Sequence, residues 1–171
     1  MNQPSHEKIK PWMHFLLLSF LLLIAWSVQS VPHPVLAIAG VNPVLLLSLV
    51  VSIGVVYGEL IGGICGLCAG VLMEIYASPS VGFHIVLLTG AGIAGGLLIR
   101  HVFMNTRFAT FVLTLLICFI YFFVYWLLYE VILGGNGGLL YFFRFSLPAA
   151  GYTALFGFIC CPLLKWLYRY W

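Results

Sequence analysis

The sequence predicts an all-α protein, a polytopic membrane helix bundle of about six transmembrane helices with both termini on the cytoplasmic side. Three observations carry this expectation. Hydrophobic residues make up 64% of the chain and charged residues only 6%, whereas a soluble domain carries about 25% charged residues. A disordered chain needs the opposite balance. The length of 171 residues holds about six spans of ~20 residues with short loops, and leaves no separate soluble domain. The third observation is the placement of the seven basic residues. Six of them, Lys8, Lys10, Arg100, Arg107, Lys165 and Arg169, fall on the N-terminal side of a six-span reading, and Arg144 alone falls on the other. By the positive-inside rule the populated side is the cytoplasm.

The elements follow in order. The first span is read over 12–31, after the polar stretch that ends in Lys8 and Lys10. A basic segment before an apolar core also resembles a signal peptide, and Val28-Gln29-Ser30 is a passable cleavage site. The run is long enough to cross, however, and more spans follow it. Pro32 and Pro34 end it. The second span is read over 35–57 and has two forms. One is a single helix kinked at Pro43. The favoured one has Asn42 as N-cap and Pro43 as the first helical residue, with 35–41 as buried irregular chain. Such a helix, 43–57, would be about 22 Å long, short of a ~30 Å hydrocarbon core. Irregular backbone at that depth must be covered by protein or line a cavity. The third span is read over 60–77, a Ser78-Pro79-Ser80 turn follows, and the fourth span is read over 82–98. The fifth is read over 108–133. After a glycine-rich loop the sixth is read over 148–168, with Ser146 as a possible cap and Pro162 expected to kink it. The whole of 1–171 is thus read as one membrane domain.

Glycine spacing is the main packing signal. The third span carries Gly58, Gly62, Gly66 and Gly70 at intervals of four, and the fourth carries Gly90, Gly92, Gly95 and Gly96. Residues four apart share a helix face, and glycines there let another backbone come close, which is the chief source of helix pairing in lipid. Gly58, Gly62, Gly66, Gly70, Gly92 and Gly96 are therefore the expected helix-packing positions, with spans three and four packed on each other. An intermolecular role for part of this surface is the alternative. A leucine in the groove should separate the two spans, and an alanine should be milder.

Four polar residues are candidates for function. Glu74 continues the glycine spacing, and a carboxylate within a span is a functional hypothesis by default. Its candidate partners are His84 and Arg144, and Glu130 competes for Arg144. A Glu74–His84 pair reads either as a proton relay or as a polar tether closing the hairpin. Glu59 precedes span three, where an acid suits the positive end of a helix. Tyr121, Tyr125 and Tyr129 share one face of span five and read as a stacking surface or as part of an interfacial belt.

Several classes are not expected. The five cysteines all lie in apolar runs; Cys65-x-x-Cys68 lacks a second pair and reads as packing. No Ser–His–Asp set, clustered metal ligands or phosphate loop is present, so no catalytic, cofactor or metal site is expected. The net charge of +3 is too small and scattered for a nucleic-acid surface.

The central stretch carries a resemblance. Asn42-Pro43 before an apolar helix, the glycine ladder, Gly70-Val71-Leu72-Met73-Glu74, a short turn, Val81-Gly82 and a second glycine-rich helix resemble the MreD family over about Gly40–Arg100. That family comprises small multi-span inner-membrane proteins of the bacterial rod-shape, or lateral cell-wall elongation, machinery. The chain departs from the family pattern at Glu74, where an Asp is usual, and at Val44, where an acid is common. The resemblance implies a non-enzymatic scaffold in the bacterial inner membrane. It would join MreC and, indirectly, MreB and the RodA–class B penicillin-binding protein synthase. A second reading from another class is the substrate-binding membrane subunit of an energy-coupling-factor vitamin transporter. Those subunits have a similar size and span count, but typically dock through AxxxA spacing that the first span here lacks. A channel or proton path formed by this chain alone has only Glu74 behind it.

Overall fold

The computed structural model describes residues 11–30, 43–76, 82–101, 107–128 and 142–170, and all of its regular structure is helical. The helices are α1 (Pro11–Ser30), α2 (Leu45–Tyr57), α3 (Glu59–Tyr76), α4 (Phe83–His101), α5 (Arg107–Trp126) and α6 (Leu147–Tyr170). A π-helical turn, Phe142–Ser146, leads directly into α6. Pro162 lies inside α6 without ending it. A proline is tolerated in an apolar helix where neighbouring groups re-satisfy the freed carbonyl.

The centre of the bundle is α2, the shortest of the six helices. Every residue from Leu46 to Val55 is buried, and α2 packs against each of the other five helices. A helix that is apolar all round belongs inside. Its two serines, both at 0% exposure, avoid an unsatisfied hydroxyl by donating to their own helix, Ser48 to the Leu45 carbonyl at 2.9 Å and Ser52 to the Ser48 carbonyl at 2.8 Å.

The start of α2 corrects the sequence expectation. The helix begins at Leu45, two residues after Pro43, and its N-cap is Val44, whose side chain offers no cap. The Asn42 cap and the irregular 35–41 lie outside the described residues. The exposed ends of the first turn are closed by distant helices instead. Val44 N–H donates to Thr153 Oγ1 of α6 at 3.2 Å, and Leu46 N–H donates to Gln29 Oε1 of α1 at 3.2 Å. Thr153 is itself buried and donates to the Ala149 carbonyl at 2.7 Å. Thr153→Val keeps the shape but removes the acceptor. The Val44 N–H is part-buried, so leaving it unpaired costs up to the ~1–3 kcal/mol of a fully buried donor. Thr153→Val should therefore lower the thermal midpoint of the detergent-solubilised protein, and Thr153→Ser should restore it. Equal midpoints for the Val and Ser variants would dismiss the cap.

The periphery is the reverse of a soluble protein. Leu16 and Phe20 of α1, Leu60 and Ile75 of α3, Val86 of α4, Leu116 and Ile120 of α5, and Leu155, Ile159 and Leu163 of α6 are all exposed. Monomeric soluble proteins rarely leave contiguous apolar surface on this scale. Among the described residues two helical stretches are long and apolar enough to cross a membrane, Phe83–Arg100 and Phe142–Arg169. Only 33% and 39% of them is buried, unlike the core helix of a soluble domain. At 13 residues, α2 is only about 20 Å long and is too short to cross alone.

Candidate functional site

Two neighbouring constellations organise the stretch between α2 and α5. One is a junction of helix backbones, and the other is a polar cluster at the α3–α4 turn.

The junction is built on glycine. A Cβ on Gly62 of α3 would lie 2.6 Å from the Gly54 Cα of α2 and 2.6 Å from the Gly92 carbonyl oxygen of α4. Three backbones therefore meet at Gly54, Gly62 and Gly92 with no room for a methyl group. Further along α3, a Cβ on Gly66 would lie 2.9 Å from the Thr89 Cα, and one on Gly70 would lie 2.9 Å from the Ile85 backbone nitrogen. At the other end, a Cβ on Gly96 would meet the Glu59 Cα at 2.6 Å. In each case the obstacle is main chain, which cannot swing aside as a side chain does. Close backbone approach of this kind maximises van der Waals contact where no hydrophobic drive exists.

Gly58 does not share this role. It lies between α2 and α3 with φ +95°, and a Cβ there would meet nothing within 4 Å. Its glycine is required by the left-handed backbone that reverses the chain, not by packing. Gly58 N–H still donates to the Gly54 carbonyl and Gly62 N–H to the Gly58 carbonyl, both at 3.0 Å. The residue missed by sequence reasoning is Gly54. It continues the interval of four backward from Gly58, so the signal was present. The reversal at Gly58 is what brings it onto Gly62 rather than along the same face.

The polar cluster closes the α3–α4 hairpin. Glu74, in the last turn of α3, accepts from Gly82 N–H through Oε1 at 2.7 Å and from His84 N–H through Oε2 at 3.3 Å. Its carboxylate thus caps the N-terminus of α4 from another helix. The first N–H groups of a helix lack internal partners, and the helix dipole favours an anion there. Gly82 adopts φ +82° to enter this turn. Glu74 therefore meets the backbone of His84, while the imidazole points elsewhere. His84 Nδ1 lies 2.9 Å from Tyr121 Oη of α5, and both side chains are buried, at 5% and 4% exposure. Tyr125 stacks on the same imidazole with ring centroids 6.3 Å apart. Tyr121 and Tyr125 are engaged in this α4–α5 link and do not form an open stacking face. Tyr129 lies outside the described residues.

Arg144 is exposed in the π-helical turn before α6, and Glu130 lies outside the described residues. Beside Arg144, Phe142 packs among Phe119, Phe123 and Trp126 of α5, with centroids 5.9, 5.8 and 5.4 Å away. This aromatic clasp joins the π-helical turn to α5. Glu59 opens α3 and pairs with Arg100 at the end of α4 at 3.2 Å. Cys65 is buried and Cys68 is exposed. Among the described residues no group of three or more potential ligands is placed to hold a metal ion.

The arrangement is mechanical in character: interlocked backbones, a cross-helix cap and an aromatic clasp. Compared with known proteins, the chain matches no family model, no curated protein and no solved structure.

Proposed function

We propose that this chain is a multi-pass protein of the bacterial inner membrane, with six spans and both termini cytoplasmic. It acts there as a non-enzymatic scaffold of the MreD type in lateral cell-wall elongation. It holds MreC and, through it, MreB and the RodA–class B penicillin-binding protein synthase. The observation that carries this reading is the glycine junction of α2, α3 and α4. The stretch that bears the resemblance, about Gly40–Arg100, coincides with the part of the fold locked most tightly, backbone against backbone at Gly54, Gly62 and Gly92. A rigid unit with apolar outer faces on α3 and α4 suits a protein whose partners meet it within the bilayer. The charge asymmetry of the sequence supplies the orientation.

Two measurements test the reading. Affinity purification from native membranes in mild detergent should recover MreC- or RodA-like proteins. Recovery of ATPase subunits with a bound vitamin would replace the scaffold by the transporter reading. For topology, Phe103→Cys and Gly137→Cys are introduced separately after removal of the native cysteines. A membrane-impermeant thiol reagent should label position 137 from outside and spare position 103. The reverse pattern would overturn the orientation.

A further inference from the structure

On the outer side of the α3–α4 pair the two helices part and leave a groove of about 290 Å³. Its walls are Leu60, Ile64 and Leu67 of α3 and Ile93 of α4, and its floor is Gly63. Gly63 is what opens it, since a Cβ there would already lie 2.9 Å from Ile93 Cγ1. Thr89 also lines the groove, but its hydroxyl donates to the Ile85 carbonyl at 2.6 Å and presents no free donor. The lining is thus apolar along its length. Glu59 stands at one end, paired with Arg100 at 3.2 Å.

We propose that this groove holds one acyl chain of a phospholipid whose headgroup carries both a phosphate and a primary amine, with that headgroup seated on the Glu59–Arg100 pair. The proposal rests on the membrane insertion assigned above and not on the scaffold role.

Size and charge select this occupant. From Glu59 to Leu67 the groove runs ~12 Å at 1.5 Å per residue, a narrow apolar trough of about 290 Å³ whose shape suits a slender hydrocarbon chain. An α-helix about 10 Å across would rest only on the rim. The ion pair is the second argument. The Arg100 side chain is 68% exposed and that of Glu59 is 30% exposed; Glu59 lines one end of the groove and Arg100 stands beside it in the ion pair. Guanidinium offers five N–H donors in a fork suited to phosphate, and the carboxylate accepts from an ammonium group. A headgroup with phosphate alone would set its charge beside Glu59 without compensation. A cationic segment of protein would meet Arg100. A zwitterion satisfies both members of the pair.

The test uses the full chain in bilayer discs made from equal amounts of phosphatidylethanolamine and phosphatidylglycerol. Lipid retained after gentle release is counted by native mass spectrometry. The wild type should retain one phosphatidylethanolamine in preference to phosphatidylglycerol by about tenfold, the value of one charge-assisted contact. Gly63→Leu, which fills the floor, should reduce retention to background. Glu59→Gln, which keeps the side chain's shape and removes the charge that would hold the ammonium, should erase the headgroup preference while still retaining a lipid. This second variant decides the matter even where Gly63→Leu lowers the yield of folded protein. Equal retention of the two lipids by the wild type would overturn the proposal, as would an unchanged preference in Glu59→Gln. Photocrosslinking from Ile64 to a protein helix in place of lipid would also overturn it. A chain that enters the discs but retains no lipid sinks this site alone. A chain that fails to enter them sinks the membrane reading.

Discussion

Gly92→Ala should disrupt the bundle, although it adds a single methyl group. The new Cβ would press on the Gly62 carbonyl group and stand 3.0 Å from Val50 Cγ1. Backbone on one side and the packed central helix on the other leave no direction for relief. Inserting a group into a packed core costs typically ~1–3 kcal/mol and occasionally more, and here the upper end is expected because main chain must move. Against a total stability of about 5–15 kcal/mol, a loss of ~3 kcal/mol should lower the thermal midpoint by on the order of 10 °C. Gly66→Ala should behave similarly, since its Cβ would meet the Leu88 and Thr89 backbone. The sequence expects alanine to be milder than leucine in this ladder; the main chain facing these positions makes even alanine costly. Spacing alone does not say whether a glycine faces side chain or main chain. Gly90→Ala is the internal control, because nothing lies within 4 Å of that position. Midpoints measured by size-exclusion chromatography after heating in detergent should separate Gly92→Ala from Gly90→Ala. Coincident midpoints for the two would show that the junction does not hold the helices together.

Glu74 carries the second large effect. Its two oxygens serve two separate N–H groups, those of Gly82 and His84. Glutamine has one acceptor oxygen and one NH₂ donor. It can satisfy one of these groups, and it sets a donor against the other. Hydrogen bonds to charged groups contribute about 1.5–3 kcal/mol, and loss of a helix cap costs ~0.5–2 kcal/mol. Glu74→Gln should therefore lose about half of what Glu74→Leu loses, instead of being silent. Two readouts separate the structural role from any partner-facing one. Under the scaffold reading proposed above, if the carboxylate is a cap, any defect in cell shape should follow the fall in midpoint and protein level across Gln and Leu. Round cells from Glu74→Gln at wild-type midpoint and abundance would instead place a charge-dependent function at this end of α3. Unchanged midpoints in both variants would remove the cap from the account.

The polar cluster shows how far a sequence reading reaches. Glu74 and His84 were legible as neighbours because a short turn joins their helices. Which atoms meet was not legible. The carboxylate takes the backbone of His84, and the imidazole turns to Tyr121, 37 residues on. Nothing in the local spacing of Tyr121 distinguishes a buried histidine partner from an interfacial ring. The caps of α2 are similar. Thr153 lies 109 residues from Val44 and Gln29 lies 17 residues from Leu46, and neither has a motif that announces the bond. Asn42-Pro43 reads as a local start signal, yet the helix begins later and is closed from outside.

Composition by itself determined that the chain is helical and that its interior and exterior are both apolar. In the membrane setting proposed above, backbone groups must be satisfied within the protein, and the helix does that locally. The four-residue glycine spacing likewise marked where helices come close. Only the tertiary structure decided which of those glycines pack, because a face persists only while the helix does. At Gly58 the chain reverses with φ +95°, so the same spacing passes from a packing position at Gly54 through a turn to another packing position at Gly62. That reversal folds α2 and α3 back to back and sets α2 at the centre of the bundle. Local sequence specifies such a break only as a permissive residue. The contacts that make use of it come from helices far away in the chain.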